Sequence, residues 1–272
     1  MSTQPTAVLS ERIASRTTRL FTGLVLFFLV APVLVVVPLS LNESTYFSYP
    51  MTGFTWSWYE TIFSSPEWRA SIANSFIIGL CSTAIATVLG TLAAIGISRP
   101  SFPFRGLIVP ILLAPMIIPI VVIAVSLYLV FAPLELVNTH LGVILAHAAL
   151  GSPFVVITVT ARLSAFDVNL SRAAASLGAS PWISFRRVMF PQIMPGVAIG
   201  SIFAFATSFD EVVVILFIGG TEQRTIPRQM WAGIRDQINP TILAMAGLLT
   251  VFAIVLFLVI GWLQGRNAPK SG

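Results

Sequence analysis

The residues with the most chemistry to offer sit where polar groups are costly. Ser208-Phe209-Asp210-Glu211 lies inside a long apolar run, and Asp210 and Glu211 are the only acids within any such run. A charged carboxylate at the centre of a membrane helix costs about 3 kcal/mol, so it faces a cavity, a solute or a partner. Asp210 lies four residues after Ala206 and seven after Phe203, on a face with Gly196 and Gly200. Neighbouring helix positions point in different directions, so this register turns Asp210 inward and leaves Glu211 at an interface. The alternative is an ion pair to an arginine of a neighbouring helix or subunit. His147 is the other polar candidate, either as a hydrogen-bonded structural residue or as a solute ligand. Ser208, Pro115 and Pro119 complete the candidate pathway.

Other chemistry is excluded by residue type. A phosphate-binding loop of the GxxxxGK[ST] form needs a Gly-Lys pair, and the one lysine, Lys270, lies in the tail. Two histidines and one cysteine make no zinc site at usual spacings. No serine or cysteine has an acid–base pair beside it, and Cys81 alone cannot form an intrachain disulfide. The chain is expected not to be an enzyme and to hold no cofactor of its own. Any uphill movement it supports draws on a partner or an ion gradient.

The elements that position these residues follow from hydropathy. Of 272 residues, 56% are hydrophobic and 9% charged, against about 25% charged in soluble domains. A span needs about 20 apolar residues, and six runs qualify, at about 20–41, 72–97, 106–131, 142–163, 193–218 and 241–263. The chain therefore reads as an all-α integral membrane protein. A cytoplasmic segment, 1–19, precedes one membrane domain, 20–264, and a short tail, 265–272, follows. The first run is longer than a signal-peptide core and is expected to be retained. Residues 42–69 read as an aromatic loop with Tyr46, Tyr49, Trp56, Trp58, Tyr59 and Trp68 suited to the membrane boundary. The second run is rich in Gly, Ala and Ser, which lets helices approach closely. The third carries Pro110, Pro115 and Pro119, consistent with either a broken pathway helix or simple kinks. Between the fifth and sixth, Ile226-Pro227 starts a short helix through about Arg235. With both ends inside, 11 of the 15 Lys and Arg residues fall on the cytoplasmic side.

The segment between the fourth and fifth runs, 171–190, is too polar to span. Ser171 is placed to cap a helix over Arg172–Leu177, and Gly178 supplies a left-handed end. Ser180-Pro181 then starts a second helix through about Phe190, with Pro191 and Pro195 at the entry to the fifth run. The spacing resembles the E-A-A-x3-G-x9-I-x-L-P loop of permease subunits of binding-protein-dependent, ATP-driven importers. Ala173, Ala174, Gly178 and Pro191 fall in register, Val188 and Phe190 stand for Ile and Leu, and Arg172 replaces the glutamate.

The likeness extends from about Asn74 to the last span and is strongest to the second permease of spermidine/putrescine importers. Ala114-Pro115 with Pro119, Leu145-Ala146-His147, Phe205–Val213, Thr225-Ile226-Pro227 and Asn239-Pro240 carry it. It implies a type I importer permease fold, a heterodimer with a second permease, and a periplasmic binding protein. It also implies an ATPase dimer, holding ATP and magnesium, docked through Arg172, Ala173, Ala174, Leu177, Gly178, Ala179, Pro181 and Pro191. The implied setting is the bacterial inner membrane. Polyamine permeases of that family place an acid after the second proline of the pair that matches Pro115 and Pro119, where this chain has Ile120. Opines, amino-acid derivatives and ferric iron are the alternative solutes. A self-sufficient secondary transporter using Asp210, Glu211 and His147 is the reading from a different class.

Overall fold

The computed structural model describes residues 5–45, 49–99, 102–236 and 239–266. Tyr46 and Lys270, named above, lie outside the described residues. The chain divides into two compact units, one of residues 1–62 and 237–252 and the other of residues 63–236 and 253–272.

In the first unit, α1 runs from Pro5 to Leu39 and carries two internal prolines, Pro32 and Pro38. Its apolar side chains face outward, as for Leu20 and Phe28, the pattern of a helix whose surroundings are lipid or protein. The chain then doubles back. Thr55 N donates to Leu41 O (2.9 Å) and Glu43 N to Gly53 O (3.2 Å). The helix α2 follows at Ser57–Ser64, within what the sequence suggested was an aromatic loop. Trp58 Nε1 donates to Asn42 O at 2.8 Å, and Tyr59 Oη lies 2.6 Å from Ser40 Oγ. These indole and phenol groups thus secure the turn that follows α1.

The second unit is built on three helices, α3 (Pro66–Ile97), α6 (His140–Ser164) and α9 (Phe190–Asp210). Between the first two lie α4 (Arg105–Ile117) and α5 (Ile120–Phe131). After α6 come α7 (Val168–Ser176) and α8 (Pro181–Ser184), and after α9 come α10 (Val213–Ile218) and α11 (Ile226–Asp236); the last helix, α12 (Thr241–Arg266), has residues 241–252 in the first unit and the rest in the second. The start of α3 is set by Ser65, which accepts from Trp68 N (3.3 Å), with Pro66 behind it. It begins before the expected residue 72 because this cap outweighs the polar composition of its first turn. Trp68 is consequently buried, not a boundary aromatic. The start of α6 is set by Thr139, which accepts from Gly142 N at 3.0 Å. Glycines let the three helices approach closely. A Cβ on Gly90 of α3 would lie 2.8 Å from Val155 Cβ, and one on Gly151 of α6 would lie 3.0 Å from Ala204 Cβ. Such approach replaces the hydrophobic drive that lipid does not supply.

Two expected spans are broken. The third bends by 109° between α4 and α5. Ile118 (ψ 137°) and Pro119 (ψ 131°) are both extended, since a residue before proline is pushed out of the helical region and proline has no N–H to continue the ladder. Pro110 and Pro115 stay within α4. The expected span 193–218 stops at Asp210, where Glu211 is extended (ψ 123°), and a separate α10 follows. The helices leaving the two breaks, α5 and α10, pack on each other through Ala124, Val214, Ile215 and Ile218. Among the described residues, five helices are long and apolar enough to cross a membrane, and α4 with α5 would make a sixth, bent crossing.

Candidate functional site: a carboxylate break and an exposed corner

Asp210 is the last residue of α9 and is exposed; among the described residues its carboxylate has no hydrogen-bond or ion-pair partner. Glu211 has left the helix, and its Oε1 accepts from Val214 N at 2.7 Å, capping the start of α10. The two carboxylates are therefore divided by a helix end. One is committed to backbone and the other is available to something outside this chain. The sequence placed both on one continuous helix with Asp210 inward on the face of Gly196 and Gly200; instead those glycines are buried against α6, Asp210 is exposed, and the helix ends before Glu211.

Ser208 and His147 do not reach the surface. Ser208 is 4% and His147 0% exposed. His147 Nδ1 lies 2.8 Å from Ser208 Oγ, and Ser82 Oγ of α3 donates to Ser208 Oγ at 3.0 Å. Here His147 is a buried hydrogen-bonded residue joining α6 to α9, the structural alternative left open by its sequence position. Pro115 is half-buried inside α4, while Pro119 stands exposed at the bend. Ser82 was legible only as one small residue among many on α3.

The corner departs from its expected boundaries in an instructive way. Its first helix starts at Val168 with Asp167 as cap, accepting from Asn169 N at 2.9 Å. Ser171 is interior, because the preceding aspartate competes better for the N-terminal donors. The helix end is as expected. Gly178 has φ +84°, Ala179 N donates to Ala174 O (3.0 Å) and Gly178 N to Ala175 O (2.9 Å). This is a Schellman closure around a left-handed residue. Ser180 caps α8 by accepting from Ile183 N at 3.3 Å, with Pro181 in the first turn. There is no stop at Phe190. A π-turn over Phe185–Met189 carries the backbone from α8 straight into α9, with Pro191 in the first turn of α9, where its missing N–H does least harm. The tip exposes Leu177 (89%) and Trp182 (66%) beside Arg172, Arg186 and Arg187.

At the other end, the loop between α10 and α11 is stitched to α3 and α6. Asn74 Nδ2 donates to Glu222 O (2.6 Å) and Arg224 O (3.0 Å), and its Oδ1 lies 3.1 Å from His140 Nε2. Ser75 Oγ accepts from Ile226 N at 2.8 Å. Asn74-Ser75, polar residues opening an apolar run, were the only sequence sign of this clasp. Burial first, and then the neighbouring Arg224 charge, hold the Arg228 guanidinium below its ordinary range.

Comparison with known proteins converges on one family. The sequence profile described as "binding-protein-dependent transport system inner membrane component" matches residues 86–270. The spermidine/putrescine transport system permease protein PotC of Escherichia coli strain K12 is 30% identical over 244 residues, 90% of this chain and 92% of that protein. The putrescine transport system permease protein PotI of the same strain is 30% identical over 252 residues, 90% and 89% of the two chains. The crystal structure of a bacterial alginate ABC transporter, in complex with an alginate pentasaccharide-bound periplasmic protein, has a chain similar in fold. Its TM-score is 0.71 at 16% identity, covering 93% of each chain.

Proposed function

The chain belongs to the family of binding-protein-dependent transport system inner membrane components, and on that premise we propose that it passes a small cationic or amine-bearing solute, such as a polyamine, into the cytoplasm as the permease subunit of an ATP-driven importer. The observation that carries this reading is the unbroken helical run of 30 residues from Pro181 to Asp210. One end is the exposed corner and the other is the carboxylate break. At 1.5 Å per residue the run is about 45 Å long, enough to reach through the hydrocarbon core. A displacement of Trp182 by a docked partner passes toward Asp210 along continuous helical backbone, through the π-turn at Phe185–Met189.

The partners follow from what the chain lacks. An ATPase dimer at the corner supplies the ATP and Mg2+ chemistry. A second, homologous permease encloses the path. A periplasmic binding protein delivers the solute to the face that carries α11, and both termini lie in the cytoplasm of a bacterial inner membrane. Asp210 favours a cation, since a carboxylate without an internal partner in low dielectric attracts one strongly. Ile120 heads α5 at the other break and brings no second acid, which suits a solute of lower charge than spermidine.

The test uses the cognate binding protein, titrated calorimetrically with putrescine, spermidine, an opine and ferric iron. The reading predicts that an amine binds and stimulates ATP hydrolysis by the reconstituted complex. Stimulation by another of these solutes and by no amine would refute the solute assignment. Uptake sustained without the ATPase subunit would refute the coupling.

A further inference from the structure

Gly196, Gly200, Ala204 and Ser208 succeed one another at intervals of four along α9, and all four meet α6. A Cβ on Gly196 would lie 2.8 Å from Thr158 O, and one on Gly200 would lie 2.8 Å from Val155 Cα. Ala204 backs onto Gly151, and Ser208 meets His147. A row of small residues permits close approach, but it offers few features that distinguish one axial position from the next. Register along such a seam has to be specified by something directional, and a buried polar contact is the best-attested device for that purpose.

The row ends in such a contact. His147 Nδ1 to Ser208 Oγ is 2.8 Å, and Ser82 Oγ to Ser208 Oγ is 3.0 Å. Residues 82, 147 and 208 are each less than 5% exposed. His147 Nε2 has no hydrogen-bond partner, so Ser208 is the ring's one polar anchor among the described residues. A slide of α9 by a single residue would strand the His147 imidazole and the Ser208 hydroxyl away from water, while Ser82 Oγ would keep its bond to Gly79 O (3.1 Å), and the two stranded groups disfavour every register but one. Ser208 stands two residues before the end of α9 and three before Glu211, whose carboxylate starts α10.

We propose that His147 and Ser82 are positioning residues for import. Through Ser208 they set the register of α9 against α6 and α3, and hence the place where α9 stops and presents the Asp210 carboxylate. The claim that this serves transport rests on the reading that the break meets the solute.

The experiment uses the assembled transporter, with Cys81, the single native cysteine, replaced by serine and Val212→Cys as a reporter at the break. Two quantities are read, the rate of thiol labelling at position 212 and the KM for uptake of labelled putrescine. His147→Leu, which keeps bulk and removes the bond, should shift both about fivefold, the equivalent of one neutral hydrogen bond. His147→Asn, whose amide reaches the place of Nδ1, should restore both, while Ser208→Ala should reproduce the leucine variant. The double variant His147→Leu/Ser208→Ala should be no worse than either single one. Should His147→Leu fail to assemble, Ser208→Ala and Ser82→Ala carry the same test, each deleting one hydroxyl. Wild-type labelling and KM in the serine variants would overturn the proposal. So would an asparagine variant no better than leucine. Shifted labelling with an unmoved KM would leave the register role standing and overturn its link to import.

Discussion

Replacing Gly178 tests whether the corner works through backbone geometry. The residue has φ +84°, and a Cβ built on it would meet nothing within 4 Å. Steric cost within this chain is therefore absent, and what remains is the left-handed conformation, which costs an L-residue about 1–2 kcal/mol. Alanine should take the lower part of that range. Valine, branched at Cβ, should reach about 2 kcal/mol, roughly a 30-fold loss in the fraction of corners correctly closed. Asparagine tolerates the left-handed region and should fall nearest to glycine. The assay is ATP hydrolysis by the reconstituted transporter, titrated with its ATPase subunit, at saturating loaded binding protein. The apparent affinity for the ATPase should decline in the order Gly, Asn, Ala, Val, with insertion of the permease unchanged. Asparagine is larger than alanine, so the order separates conformation from bulk. An asparagine variant weaker than alanine would mean that crowding against the partner governs the site. A valine variant at wild-type affinity would mean that the Schellman closure has no part in docking.

Gly200→Ala forces a methyl to within 2.8 Å of the Val155 backbone and should cost about 1–3 kcal/mol, read as a lower midpoint of thermal inactivation in detergent. Gly106→Ala, with nothing within 4 Å of the new methyl, should leave that midpoint unmoved. Arg172→Glu restores the residue usual at this place in the importer loop; if an acidic ATPase surface faces the arginine, assembly should weaken at low salt and recover toward wild type as salt screens the repulsion. Affinity equal to wild type at low salt would make Arg172 a solvated bystander. Glu211→Gln keeps an oxygen for Val214 N and should assemble normally, whereas Glu211→Leu loses the cap and should destabilise by about 1 kcal/mol, seen in the same thermal assay.

The order of the long apolar helices was readable because apolar length is a strong signal, and the turn of the corner because Gly178 and Ser180-Pro181 are local punctuation whose effect needs no partner. The bends were less so. Pro110, Pro115 and Pro119 look alike in sequence, yet only Pro119 ends a helix, a choice made by how α5 packs against α10. The stop at Asp210 left no signal by the usual rules, since the run through Val212 and Val213 continues the hydropathy of α9 and the Glu211 cap becomes visible only once α10 exists. The start of the corner was misplaced for the opposite reason: Asp167 and Ser171 both cap well, and the choice lay in an N-terminal turn that composition alone does not resolve. His147 illustrates a third limit. Its burial is a property of three helices together, and so is its bond to Ser208.

The central claim is that the unpartnered Asp210 carboxylate attracts a cationic solute at the end of a helix driven from the corner. Asp210→Asn preserves size and hydrogen bonding while removing the charge. Uptake of labelled putrescine by cells expressing the whole transporter should be measured beside the yield of purified complex. The account predicts that uptake falls several-fold, corresponding to about 1–2 kcal/mol of lost attraction, with yield and basal ATP hydrolysis unchanged. Wild-type uptake at normal yield, or a loss of uptake that merely follows a loss of complex, would contradict it.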